Sequence, residues 1–231
     1  MVKIIPAILV SATVFIVTPP EVKVSGAMKN VMMKGNLSAH LDIDTLNKLH
    51  LYGLGPVADL KGEIMILDGK VFTTTKDDSK LLNQQNKISK AALLVYSNIE
   101  KWKIVRFNIA INSYAELEKL IETTAKENGY DTELPFAFKI NAVPAKAAYH
   151  VIDWKKGVEH TMDNHKQFSY AGEMINTPVT MLGFYSKHHQ SIFTHHTTFM
   201  HVHLLDDKAK TVGHLDELQI KGQFTIYLSE K

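Results

Sequence analysis

The chain has 231 residues, 45% of them hydrophobic and 22% charged, enough for one large domain or two small halves and unlike a disordered or fibrous class. The formal charge of +2 comes from interspersed lysines and acids with no basic run, so no nucleic-acid partner is expected. Cysteine is absent, which removes disulfides, thiolate nucleophiles, iron–sulfur clusters and cysteine-type zinc sites, and leaves any metal to histidines and carboxylates.

In chain order, Ile4 to Val17 is interrupted only by Pro6, Ser11 and Thr13. That run is too short for a confident spanning helix, so no stable membrane insertion of the mature chain is expected. It suits the apolar region of an export signal over residues 1–20, with a buried strand in a cytoplasmic protein as the alternative. Next, SGAMKNVMMKGN predicts a short helix, with Ser25 as N-cap, Met28, Val31 and Met32 at helical spacing and Gly35 as stop. Gly53 and Gly55 read as a glycine-rich turn. Asp68-Gly69 between two β-rich runs predicts a hairpin of strands 63–67 and 70–75, with Glu63 opening the first.

Polar DDSKLLNQQNK reads as a loop, and AALLVYSNI and IVRFNIAI read as strands. SYAELEKLIETTAKENG is the clearest helix, with a Ser113/Glu116 capping box and Gly129 as its stop. FAFKINAV, AAYHVIDW, TPVTMLGFYS, TTFMHVHLL and LQIKGQFTIYL follow as strands. Many strands and few helices, without regular alternation of the two, predict an α+β fold with mixed and mainly antiparallel sheets.

Seven of the twelve histidines, namely His188, His189, His195, His196, His201, His203 and His214, fall between 188 and 214. On a strand, His201 and His203 share a face, and the polar DDKAKTVG connection, with Gly213 as its turn residue, would bring His214 alongside. Three neutral imidazoles on adjacent strands can hold Zn²⁺ and leave positions open for water or substrate. Nickel, iron or manganese would suit the same donors. A solvated, histidine-bearing strand face explains the spacing equally well, and the adjacent pairs 188/189 and 195/196 cannot all be ligands.

The order of GLGPV (53–57), GEIMILDGK (62–70), FAFKI (136–140), GFYS (183–186), HVHLLDD (201–207) and GHLDEL (213–218) resembles the α-acetolactate decarboxylase family, from about Lys23 to Leu228. The resemblance implies two packed halves, 21–140 and 141–231, in one integrated domain with the metal between them. It implies a zinc enzyme converting 2-acetolactate, a 2-hydroxy-3-oxo acid, to acetoin and CO₂, with the metal chelating the substrate and stabilising the enediolate. His201, His203 and His214 would be the ligands and Glu63 the proton-transfer acid. No organic cofactor is implied, and a homodimer through the N-terminal half is.

The pattern departs from the family in three places. The family's substrate-binding Arg, expected after FAFKI, is replaced at or near His150, and the single Arg of the chain, Arg106, lies elsewhere. Pro56 stands in place of a family Thr, and the family's C-terminal tail with its second acid does not follow the last strand. His150, with Lys146 as a helper, is therefore the candidate for the carboxylate-binding role. The alternatives are a metal-binding relative acting on another small oxo-acid, or a non-catalytic metal binder or β-rich interaction domain.

Overall fold

The computed structural model describes residues 17–87, 90–155, 157–158, 164 and 167–231. The export-signal reading falls almost wholly outside these residues. Among those described, no helix is long and apolar enough to cross a membrane.

The elements in chain order are β1 (Lys23–Ser25), α1 (Met28–Lys34), β2 (Leu41–Asp42), β3 (Leu51–Pro56), β4 (Glu63–Leu67), β5 (Lys70–Asp77), β6 (Lys80–Gln85), β7 (Lys90–Ala91) and β8 (Leu94–Asn98). They continue as β9 (Lys101–Ile111), α2 (Tyr114–Glu127), β10 (Phe136–Ala142), β11 (Lys146–Ile152), β12 (Ser169–Met174), β13 (Val179–Tyr185), β14 (Met200–Asp206) and β15 (Val212–Glu230). One sheet runs β1-β8-β3-β4-β5-β6, and the other β10-β13-β14-β15-β11-β12, with β9 added along β15. β10 pairs with both β13 and β15, so the larger sheet closes on itself. Every ladder between these strands is antiparallel, and parallel pairing is confined to isolated bridges such as Val17 with Tyr130. The α+β expectation holds. β9 and β10, which fall wholly or mostly in the N-terminal half as divided at residue 140, hydrogen-bond in the larger sheet.

The local signals explain most of the elements. Asp68 and Gly69 both take positive φ, 48° and 76°, and connect Leu67 to its partner Lys70 in the predicted two-residue hairpin. Ser113 Oγ accepts the Glu116 N–H at 3.1 Å, while the Glu116 carboxylate accepts from Asn112 N–H at 2.8 Å, one residue before the standard box partner. Gly35 ends α1 in the left-handed conformation, but the N-cap is Ala27; Ser25 lies in β1 and donates its hydroxyl to the His40 carbonyl.

Three expectations fail for tertiary reasons. Gly53 and Gly55 are strand residues of β3, and a Cβ on Gly55 would collide with the Leu93 carbonyl, so the glycine serves close approach rather than a turn. The polar run after Asp78 forms β6, an edge strand whose exposed residues suit solvent. Gly213 lies within β15, opposite Leu204; the chain reverses earlier, where Asp206 Oδ1 accepts the N–H groups of Lys208 and Ala209 and Lys210 takes φ 57°.

The two sheets face one another across Tyr52, Leu54, Met65 and Phe72 from the first and Leu182, Phe184, Leu205 and Val212 from the second. Behind the larger sheet, α2 buries Leu117 and Ile121 against a separate apolar cluster that includes Val202 and Leu204. Alternation along β14 therefore sends Val202 and Leu204 to that cluster and His201, His203 and Leu205 to the junction between the sheets. Polar stitches cross this junction: Thr74 Oγ1 accepts Val212 N–H at 2.7 Å, and Asn83 reaches Thr211 Oγ1 at 2.8 Å.

Tyr149 of β11 lies flat over Gly172 and Gly213, so that a Cβ on either would overlap its ring. Gly213→Ala should therefore cost about 2 kcal/mol in denaturant unfolding, within the range for overpacking, and a second substitution, Tyr149→Ala, should recover part of what the added methyl costs.

Candidate metal centre

His201, His203 and His214 come together on adjacent strands, each offering one ring nitrogen, and the three nitrogens lie within 4.8 Å of one another. The register accounts for this. His203 on β14 is directly opposite His214 on β15, which in turn is opposite His150 on β11, so three histidines form one row across three strands. His201 sits two residues along β14, on the same face. Its Nε2 lies 3.1 Å from both His203 Nε2 and His214 Nδ1. A tetrahedral ion with bonds of about 2.0–2.1 Å separates its ligands by about 3.3–3.4 Å, so these nitrogens already stand near ligand spacing.

The protonation states suit that role. Burial pushes His201 down to about 4, opposed by a pull from the Phe193 carbonyl, with smaller lowering contributions from the charges of His150 and His195. Burial and the neighbouring His201 hold His203 well below its ordinary value. Both rings are therefore neutral at physiological pH. His203 Nδ1 donates to the Ile64 carbonyl at 2.9 Å, which fixes the tautomer and leaves the Nε2 lone pair free to ligate.

Helix α2 positions the start of β14. Glu118 accepts the Phe199 N–H at 2.7 Å, and the Tyr114 hydroxyl donates to the Met200 carbonyl at 3.1 Å, one residue before His201. Burial raises the Glu118 carboxyl, countered by its hydrogen bonds to the Phe199 and Met200 backbone.

Glu63 opens β4 in the facing sheet and is 3% exposed. Its Oε1 accepts the Ile152 N–H of β11 at 3.2 Å, and its Oε2 lies 3.5 Å from His203 Nε2. Burial pushes its pKa up to about 7, with Asp216 adding to the rise and His150 and the Ile152 N–H opposing it. A carboxyl poised there can hold or release a proton at neutral pH.

His150 lines the same cavity and bonds through Nδ1 to Asp216 Oδ1 at 2.8 Å. Burial alone would lower its pKa, but the Asp216 hydrogen bond and the charges of Asp216 and Glu63 outweigh it, and the net shift is upward. Sequence reasoning missed Asp216. It lies at an irregularity in the ladder, where Ala148 pairs with Glu217 and Tyr149 with Leu215, leaving Asp216 as the extra residue of a β-bulge that bonds to His150. Its position two residues beyond His214 was the available signal.

Other candidates go elsewhere. Lys146 pairs with Glu173 at 2.6 Å, and neither it nor Arg106 lines this cavity; Arg106 borders a separate groove. His188 pairs with Glu133, and His189 bonds to Ser186 Oγ. His195 does line the cavity, as does Pro56. The cavity measures about 450 Å³ and is walled by Met28, Val31, Met32, Leu60, Leu93 and Ile152 besides the polar groups above.

The family model described as alpha-acetolactate decarboxylase matches residues 25–230. Similar solved structures include the alpha-acetolactate decarboxylase of Bacillus subtilis strain 168, with a TM-score of 0.75 at 16% identity, covering 91% of this chain and 85% of that one. The acetolactate decarboxylase of Bacillus subtilis subspecies spizizenii gives 0.74 at 16%, covering 91% and 86%. A Staphylococcus aureus protein of unknown function, described as similar to alpha-acetolactate decarboxylase, gives 0.73 at 14%, covering 91% and 85%. At these identities the structures establish the shared fold. No curated protein sequence matches the chain. With the family model spanning almost its whole length, the chain belongs to the α-acetolactate decarboxylase family.

Proposed function

We propose that the chain is a zinc-dependent decarboxylase that converts 2-acetolactate to acetoin and CO₂ at the junction of its two sheets. The observation that carries this reading is the convergence of three histidine nitrogens with the buried carboxyl of Glu63, 3.5 Å from His203, beside a cavity that His201, His214 and Glu63 line. The neutral, buried imidazoles of His201 and His203, with His214 beside them, fit a divalent transition ion, with zinc the natural choice for three nitrogen donors and an open position. Such an ion supplies a Lewis acid for the negative charge that develops on the substrate's ketone and hydroxyl oxygens.

The chain's own groups account for the rest. His150, whose cationic form Asp216 favours, attracts the substrate carboxylate in place of the Arg implied by the family resemblance. The carbon–carboxylate bond breaks, CO₂ departs, and the electron pair remains on the carbon skeleton. Glu63 then delivers a proton to that carbon, forming the new C–H bond, and regains a proton from solvent. Its Oε1 is held by Ile152 N–H, which orients the transfer to one face. Assembly as a homodimer and export of the chain also belong to this proposal.

Acetoin release and metal content measured on one sample test the reading. His203→Ala should lose both, and zinc bound stoichiometrically with no acetoin formed at any pH would overturn the reaction. Glu63→Gln should keep the metal and lose kcat by about 10²–10⁴, the usual share of a general acid.

The His150 role has its own pH signature. Because its pKa is raised above the ordinary 6.5, the imidazolium is favoured at low pH and lost as pH rises through the folded value, so KM should climb on the alkaline side. His150→Arg should flatten that climb, which a KM–pH profile reads directly.

Metal-free stability gives an independent check on Glu63. Its folded value of about 7 exceeds the ordinary 4.5, so its ionisation costs stability as pH rises through that window; His201, near 4 instead of 6.5, costs stability as pH falls. Glu63→Gln removes only the first effect. The variant should therefore gain about 3 kcal/mol on wild type between about pH 4 and pH 8 in urea unfolding.

A further inference from the structure

The cavity wall opposite the polar cluster is apolar and leaves more room than a methyl-substituted acid fills. The cavity's polar groups come from β4, β11, β12, β14 and β15 and from His195, and most of its apolar ones from α1 with Pro56, Leu60 and Leu93, besides Ile152 and Ala171. Met28, Val31 and Met32 stand at i, i+3 and i+4 of α1, a single helical stripe, and all three line the cavity. Only Val31 is packed into a core cluster, with Leu60, Ala92, Ile152 and Trp154. Met28 and Met32 remain half-buried, with thioether side chains that adapt to irregular apolar shapes.

Helix α1 is nevertheless anchored. The Met28 and Lys29 N–H groups each donate at 2.8 Å, to the Ile192 and Ser191 carbonyls, so the stripe is held over the cavity from a second segment. A cavity of about 450 Å³ falls in the range of sites that enclose drug-sized ligands, well beyond a small hydroxy-oxo acid.

We infer that the preferred substrates are 2-hydroxy-3-oxo acids carrying an extended apolar group, butyl-sized or aromatic, which lies against Met28, Val31 and Met32. The inference rests on the decarboxylase reading and names the substrate class of that site. The carboxylate, ketone and hydroxyl stay at the polar end, the reaction balance is unchanged, and the apolar group supplies binding by leaving water.

The test is kcat/KM for CO₂ release by the zinc-loaded protein across racemic 2-hydroxy-3-oxo acids with methyl, ethyl, butyl or benzyl placed at C2 or, in a second series, on the ketone carbon. Butyl or benzyl should exceed methyl by about tenfold or more in at least one series, as burial of several methylenes implies. Met32→Trp, which fills the space, should lower the butyl-to-methyl ratio by about tenfold, and Val31→Phe should move that ratio the same way. Methyl turned over best in both series would overturn the inference and leave the decarboxylase reading standing. No CO₂ from any member, methyl included, would overturn both.

Discussion

Two hydrogen bonds that cross between the sheets in opposite senses hold the site together. His203 of β14 donates to the carbonyl of Ile64, and the neighbouring Glu63 accepts from Ile152 N–H of β11. One dipeptide at the start of β4 is thus gripped by two strands of the other sheet. The same contacts set the tautomer of His203, a candidate ligand, and the orientation of the acid, so docking of the sheets and assembly of the candidate site are one event.

Such an arrangement puts ionisable groups where water is scarce. Glu63 and His201 are each 3% exposed and His203 is fully buried. Desolvation disfavours every charged form there, which raises the carboxyl and lowers the imidazoles toward a common neutral state. A neutral carboxyl is a proton donor and neutral imidazoles are metal ligands. The electrostatic cost of burial and the chemistry of the site therefore have the same physical origin. His150 is the exception: the bulge at Asp216 supplies it with a carboxylate partner, and it alone among these rings is shifted toward the cation.

The sequence carried much of this. The Asp68-Gly69 turn had to be a hairpin because consecutive positive φ values favour those residues, and that hairpin places Glu63 at a strand start. His201 and His203 had to share a face because strand side chains alternate. The readings that failed were of residues whose roles are set by distant neighbours: Gly55 by the Leu93 carbonyl, Gly213 by the Tyr149 ring, and β6 by its place at a sheet edge. Local pattern cannot distinguish a glycine that turns the chain from one that makes room.

By itself the sequence determined the family and pointed to the three histidines and the facing acid, because each rests on residue type, short-range spacing and motif order. Tertiary structure alone decided that β9 and β10 join the larger sheet, that Asp216 partners His150, that Lys146 is engaged by Glu173, and that the stripe of α1 lines the cavity. Those facts depend on strand order, on a single-residue bulge and on the docking of a short helix across the junction. Each is settled by long-range contacts that periodicity along the chain does not encode.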